Sequence, residues 1–155
     1  MNITQTGQRG LIEWQSFSIG AGARVNIVQP GAQSVLVNRV TPGNAPASEI
    51  YGQLSSNGRV FLVNPAGITF GAGAQVNVGS LVATTLDLAP SMLDNQYAAL
   101  LNPATPSIAL AGNGTGGLVV SSGATLRADP AGGGGRQRHQ PRLRLVHQHP
   151  HREGT

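Results

Sequence analysis

Glu13, Glu49, Asp87 and Asp94 are the only carboxylates before Arg127, and their spacing is the first guide to chemistry. General acid–base work, glycosidic cleavage included, needs two carboxylates, or a carboxylate and a basic group, held close together on neighbouring elements. These four are widely scattered, and no histidine precedes His139. A G-x-S-x-G nucleophile elbow is absent as well. The chain contains no cysteine, which excludes disulfides, thiolate metal sites and a cysteine nucleophile. "GAGAQV" from Gly71 resembles the opening of a dinucleotide fingerprint, but the third glycine is missing and a strand-like Val76-Asn77-Val78 follows instead of a helix. "GNGTGG" from Gly112 is a loop, and no lysine exists anywhere to meet a phosphate. His147, His149 and His151 are interrupted by Pro150 and share no regular face for a metal. Asn113-Gly114-Thr115 matches an N-glycosylation acceptor. The reading is a non-enzymatic chain with no catalytic residue, cofactor or metal site.

Charge points away from nucleic acid. The formal balance is +4, yet Arg9, Arg24, Arg39 and Arg59 cancel the four carboxylates of the body. All the excess lies from Arg127 onward, where composition shifts through "ADPAGGGG" into "RQRHQPRLRLVHQHPHREGT". This tail has neither a strand-length apolar face nor a helical stripe, so residues 129–155 are expected to be disordered. It carries no aromatic residue for base stacking, and a shifted reading frame accounts for its Arg, His, Pro and Gly at least as well as a nucleic-acid arm does. No apolar run approaches the roughly 18 residues of a membrane-spanning helix. "MNITQTGQRG" lacks the regions of a signal peptide, so either the protein stays inside the cell or Met1 is not its natural beginning.

The elements that would position any site are short strands. In "FLVNPAGITFG", Phe61 to Gly71, alternation breaks at Asn64-Pro65 and resumes after Gly67. Pro65 cannot donate to a central ladder and Gly67 is free to take positive φ, so the stretch reads as strand, corner, strand. Phe17/Ile19, Val25/Ile27, Val35/Val37, Ile68/Phe70 and Val76/Val78 are further period-two pairs bounded by turn residues. One short helix is expected in "PSMLDNQYAALL", Pro90 to Leu101, with Ser91 as N-cap and Pro103 as stop.

An internal repeat decides the architecture. "IGAGARVNI" (Ile19–Ile27) recurs as "FGAGAQVNV" (Phe70–Val78), displaced by 51 positions, and the same displacement matches Gly7 with Gly58, Leu11 with Leu62, Ile12 with Val63 and Phe17 with Ile68. Fixed-spacing self-similarity marks a stack in which one coil buries its apolar face against the next. The scarcity of hairpin signals argues against a sandwich. The expected fold is all-β: a right-handed parallel β-helix, two or three coils of about 20 residues per repeat, with an N-terminal cap and short extra-helical elements. Gly20, Gly22, Asn26, Gly71, Gly73 and Asn77 are read as repeat corners, because Gly and Asn tolerate left-handed backbone. Asn26 and Asn77 share a repeat position, which would let their amides stack along the axis. Trp14 either covers the open N-terminal end or packs in the first coil.

"NITQTGQRGLIEWQSFSIGAGARVNIVQPG", "LVNRV" and "IYGQLSSNGRVFLVNPAGITFGAGAQVNVGSLVATTLDL" together strongly resemble the N-terminal domain of filamentous-haemagglutinin-like proteins, the secretion domain of two-partner secretion exoproteins. The resemblance covers Asn2 to Leu88 well and Gly114 to Ala128 loosely, so residues 1–128 are assigned to a partial domain of this family. It implies a secretion module of a large exported adhesin or haemagglutinin-type protein, recognised in the periplasm by the POTRA domains of a cognate outer-membrane TpsB-type transporter and folded progressively at the cell surface. A surface module that binds a host glycan or a haem carrier is the rival expectation, as is contact with a host cell-surface glycan or protein through a passenger beyond this chain. The family's NPNG-type motif falls at Asn64, Pro65, Ala66 and Gly67, with Ala66 in place of the second Asn. Glu13 stands where relatives often carry Asn, and Asn38 with Arg39 in "VNRV" is the nearest element to the family's second motif. The family domain is longer than this body, so the chain is expected to be truncated. The corner serves either transporter recognition or prompt folding of the first coils.

Overall fold

A computed structural model describes residues 1–112, 114–129 and 143–146. Its strands are β1 (Asn2–Thr4), β2 (Arg9–Trp14), β3 (Arg24–Val28), β4 (Val35–Val40), β5 (Ser48–Ile50), β6 (Gln53–Ser56), β7 (Arg59–Val63), β8 (Ile68–Phe70), β9 (Gln75–Val78) and β10 (Ser80–Thr84). There follow β11 (Asp87–Leu88), helix α1 (Pro90–Leu101), β12 (Leu110–Ala111), β13 (Leu118–Val120), β14 (Thr125–Ala128) and β15 (Leu143–Val146). Successive strands visit three sheets in rotation. The first sheet runs β1-β3-β6-β9-β14, the second β15-β10-β7-β4-β2 and the third β13-β8-β5, the last extended by a bridge from Ile19 to Ile50. Every pairing in these three sheets is parallel. The molecule is the expected parallel β-helix.

Period-two alternation sets what is inside. Val25, Ile27, Leu54, Val76 and Val78 of the first sheet face Leu36, Val60, Leu62 and Leu81 of the second and Ile50, Ile68 and Phe70 of the third in one continuous core. Trp14 is half-buried in the first coil, its ring edge-on to Phe17 with centroids 5.0 Å apart. The second sheet is buried on both faces, which is why all six residues of β4 are inaccessible. Its outward Val35, Val37 and Val63 lie under Leu88, Met92 and Leu100 of an excursion that leaves after β10 and returns through β12, itself antiparallel to β11.

The fold departs from the sequence expectations at four places, beginning with the repeat. The displacement of 51 holds across the first and third sheets, where Arg24 pairs with Gln53 and Gln53 with Gln75. It fails in the second sheet: Leu11 pairs with Val37 and Val37 with Phe61, so Leu11 aligns with Phe61 and Ile12 with Leu62. The corner after β7 is one residue longer than the corner after β2, and an ungapped comparison carried that extra residue into the strands. Second, Ser91 is not the helix N-cap; Ala89 holds that place and Pro90 takes the first helical position, where its missing N–H costs nothing. Third, α1 is two short helical turns separated by a kink, with Asn95, Gln96 and Tyr97 at positive φ. Fourth, the tail assigned to disorder contributes β15, which pairs in parallel with β10 from Leu81↔Leu143 to Thr84↔Val146. Leu143-Arg144-Leu145-Val146 is long enough to satisfy the open edge of β10, a short alternation easily lost among arginines and histidines. Residues 130–142 and 147–155 of that tail, including His147, His149 and His151, lie outside the described residues, as does Asn113.

Candidate functional site

The corner between β7 and β8 is built by its own side chains. Asn64 ends the strand fully buried, and its Oδ1 accepts a hydrogen bond from the Ala66 N–H at 2.9 Å, closing an Asx turn. Pro65 supplies the fixed φ, and the Gly67 N–H donates to the Asn64 carbonyl at 3.0 Å. Gly67 has φ +125°, a conformation that residues with a Cβ rarely adopt.

The same corner joins three coils. Asn64 Nδ2 donates backward to the Pro46 carbonyl at 3.1 Å and to Ser48 Oγ at 3.0 Å, while the Ser48 N–H donates to the Gly67 carbonyl at 2.9 Å. In the forward direction the Pro65 carbonyl accepts from the Thr115 and Gly116 N–H groups at 2.8 and 3.1 Å. The Ile68 N–H then donates to the Gly117 carbonyl at 3.0 Å. Gly116 passes so close that a Cβ there would collide with the Ala66 carbonyl. A cavity of about 180 Å³ lies beside the corner, between Thr41–Ala45 on one side and Asn64–Ala66 and Thr115 on the other. Ser48 precedes Ile68, its axial partner, by one coil, so the coil length itself carries the signal for Asn64's partner.

Asn38 and Arg39 are adjacent in β4 and face opposite ways. Asn38 is buried, where its Oδ1 accepts from Trp14 Nε1 at 3.1 Å and its Nδ2 donates to the Phe61 carbonyl at 3.3 Å. Arg39 points outward between two carboxylates. Its Nε and Nη2 donate to the two oxygens of Asp87 at 2.8 and 2.9 Å, and its Nη1 donates to Glu13 Oε2 at 2.6 Å. Tyr97 OH donates to that same Glu13 oxygen at 2.8 Å. The fork on Asp87 holds the Arg39 guanidinium still more firmly protonated than usual, Glu13 adds to this and burial opposes it. Tyr97 is likewise raised above its ordinary value, first by its hydrogen bond to Glu13. The carboxylates that look scattered along the chain are thus partly gathered: Glu13 meets Arg39 because β2 and β4 are axial neighbours, and Asp87 arrives with the excursion. Both carboxylates are engaged by one guanidinium, which pins the excursion to the second sheet.

The glycines of the repeat occupy matching turns. The Ala23 N–H donates to the Gly20 carbonyl at 2.9 Å and the Ala74 N–H to that of Gly71 at 3.0 Å, with Gly22 and Gly73 at φ +83° and +89°. A third copy, missed in the sequence, is Ser121-Ser122-Gly123-Ala124, where Ala124 donates to Ser121 at 3.1 Å and Gly123 has φ +94°. Asn26 and Asn77 are not corners. They lie within β3 and β9, and Ser55 sits between them in the register, its Oγ donating to Asn26 Oδ1 at 2.8 Å. Outward strand positions accept polar residues as readily as turns do, so residue type alone did not separate the two. Among the described residues no cluster of three or more His, Asp or Glu side chains is placed to hold a metal, and no helix is long and apolar enough to cross a membrane.

Comparison with known proteins agrees with this geometry. A heme/hemopexin-binding protein of Haemophilus influenzae strain KW20 / Rd is 49% identical over 88 residues, covering 57% of this chain and 10% of that protein. A second heme/hemopexin-binding protein from the same species is 46% identical over 88 residues, covering 57% of this chain and 9% of the relative. The chain therefore spans about a tenth of the length of these curated relatives. The profile of the TPS secretion domain matches residues 1–138, from the first coil past β14. A match over most of its length, on a stack of parallel coils, places this chain in the TPS (two-partner) secretion domain family.

Proposed function

We propose that this chain is the N-terminal secretion module of a large exported adhesin-like protein, recognised unfolded in the periplasm by the POTRA domains of its cognate TpsB-type transporter, and that it nucleates the β-helix outside the cell. The observation that carries this reading is the two-way bonding of Asn64-Pro65-Ala66-Gly67 to the coil before and the coil after. The corner completes its bonds only when three successive coils are in place, so a chain emerging N-terminus first locks them in order. Few charges and many short β segments suit recognition by strand addition to a receptor's sheet edge, where backbone groups supply the affinity. In this reading the corner, together with Asn38 and Arg39, serves folding of the emerged chain.

The test is secretion of the full-length exoprotein with its transporter, comparing the natural chain with Asn64→Ala and measuring POTRA binding by the urea-unfolded domain. The expected result is a loss of about tenfold or more in secreted protein, with POTRA affinity changed by less than about threefold. Undiminished secretion contradicts the reading, as does tighter binding of POTRA domains to the folded domain than to the unfolded one.

A second reading is favoured by the relatives, which are named for heme and hemopexin binding. Under it the folded module contributes a surface for a haem carrier or a host glycan. Titration of the isolated domain with haem, hemopexin and a glycan panel separates the two readings, because the secretion module binds none of them.

A further inference from the structure

We propose that Gln29 is the residue that sets the register of the first three coils, and that the lock it makes with Gln5 closes before the Asn-Pro-Ala-Gly corner can. The proposal concerns how the stack forms, and it holds whether the module serves secretion or ligand binding. Gln5 directly follows β1 and Gln29 directly follows β3, at the corner where the chain leaves the first sheet for the second. The pairing of Thr4 with Val28, carried one step further, sets the two glutamines one above the other along the axis. Both side chains are buried.

The Gln29 amide nitrogen is enclosed by oxygens from three coils. Its Nε2 donates to Gln5 Oε1 at 3.0 Å in the coil before, to the Ser34 carbonyl at 3.3 Å in its own coil and to the Arg59 carbonyl at 3.1 Å in the coil after. The amide can point only this way. Its Oε1 is turned toward Gly58, where an added Cβ would lie 2.8 Å from it, and accepts no hydrogen bond among the described residues. The reversed amide would set an acceptor against three oxygens. Gln5 extends the stack, its Nε2 donating to the Gly7 and Val35 carbonyls at 2.7 and 3.0 Å. Asn57 clamps the Gln29 backbone from the third coil, its Oδ1 accepting from the Gln29 N–H at 2.7 Å and its Nδ2 donating to the Gln29 carbonyl at 2.8 Å. A buried amide with one orphaned acceptor adds little net stability, but a strand slipped by one residue would turn Gln29 to the opposite face and forfeit the whole set of bonds. The residue therefore rejects wrong registers. Its partners are complete once Arg59 is in place, across separations of 24 and 30 positions. The Asn-Pro-Ala-Gly corner waits for Thr115, 50 positions after Pro65. Shorter closures form first.

The test is pulse-labelled hydrogen exchange during refolding of the whole chain from urea, read amide by amide by NMR. The N–H groups of Gln5, Val35 and Arg59, which donate to the Val28, Gln8 and Ser34 carbonyls, should be protected before those of Thr115, Gly116 and Ile68. Gln29→Met, which keeps the length of the side chain and removes its hydrogen bonds, should slow refolding by about tenfold while changing unfolding by less than about threefold. Gly116→Ala, in the forward half of the Asn-Pro-Ala-Gly corner, should chiefly speed unfolding. A glutamine that merely adds stability after the stack has formed would behave like Gly116. Gln5→Met, at the outer end of the stack, supplies the same comparison of rates if Gln29→Met does not refold. The proposal is overturned if Thr115 or Ile68 is protected before Arg59 or together with it. It is overturned equally if the glutamine variant refolds as fast as the natural chain.

Discussion

Asn64 concentrates more axial bonding than any apolar residue beside it. Its fully buried amide satisfies the Ala66 N–H, the Pro46 carbonyl and Ser48 Oγ, the last in a buried contact and the first two in partly buried ones, and an orphaned buried partner costs about 1–3 kcal/mol. Asn64→Ala is therefore expected to destabilise the isolated domain by about 2–4 kcal/mol, measured by urea unfolding. Gly116→Ala should be at least as damaging, because the added methyl group meets the Ala66 backbone and no flexible side chain there can give way. Arg39→Lys, although it preserves charge, loses the two-pronged contact with Asp87 and should cost about 1–2 kcal/mol, with Arg39→Ala costing more. At this scale the sequence was legible where chemistry is local: Pro65 and Gly67 announce a corner whatever surrounds them. The Arg39–Asp87 contact, whose partners are 48 positions apart in the chain, leaves no local trace.

Elements were legible where alternation was long enough to declare itself, and the boundaries that failed did so for identifiable reasons. The kink in α1 places three residues with side chains at positive φ, at a cost of about 1–2 kcal/mol each, and no glycine or proline within Asp94–Tyr97 marks it. One contact formed at that kink is the bond from Tyr97 to Glu13. The folded phenol holds its proton to higher pH than a free tyrosine, so this bond stabilises the fold fully below about pH 10 and is lost as pH rises through the raised folded value. Tyr97→Phe should lower stability by a constant amount below about pH 10, and the difference from the natural chain should vanish at higher pH. Chemical unfolding followed across that range, with phenolate absorbance reporting ionisation, checks it. The excursion as a whole was anticipated only as a helix. That it would roof the second sheet follows from Val35, Val37 and Val63 being apolar on an outward face, a signal that requires the strand register first.

At the scale of the molecule, stability runs along the axis. Each coil contributes inward side chains to one core and backbone bonds to both neighbours, so any coil depends on the next for closure. The repeat in the sequence revealed this stack because the two GAGA turns have the same length, and it misaligned the second sheet where corner lengths differ. Register is the central claim, and the absence of cysteine makes it directly testable by paired cysteine substitution. Asn26 and Ser55 are axial neighbours, separated by the roughly 5 Å between adjacent strands and within reach of a disulfide, whereas Asn26 and Asn77 are two steps, about 10 Å, apart. Oxidation of the folded domain should cross-link Asn26→Cys with Ser55→Cys and leave Asn26→Cys with Asn77→Cys as free thiols. The reverse pattern, or equal cross-linking of both pairs, would contradict the stacked-coil account.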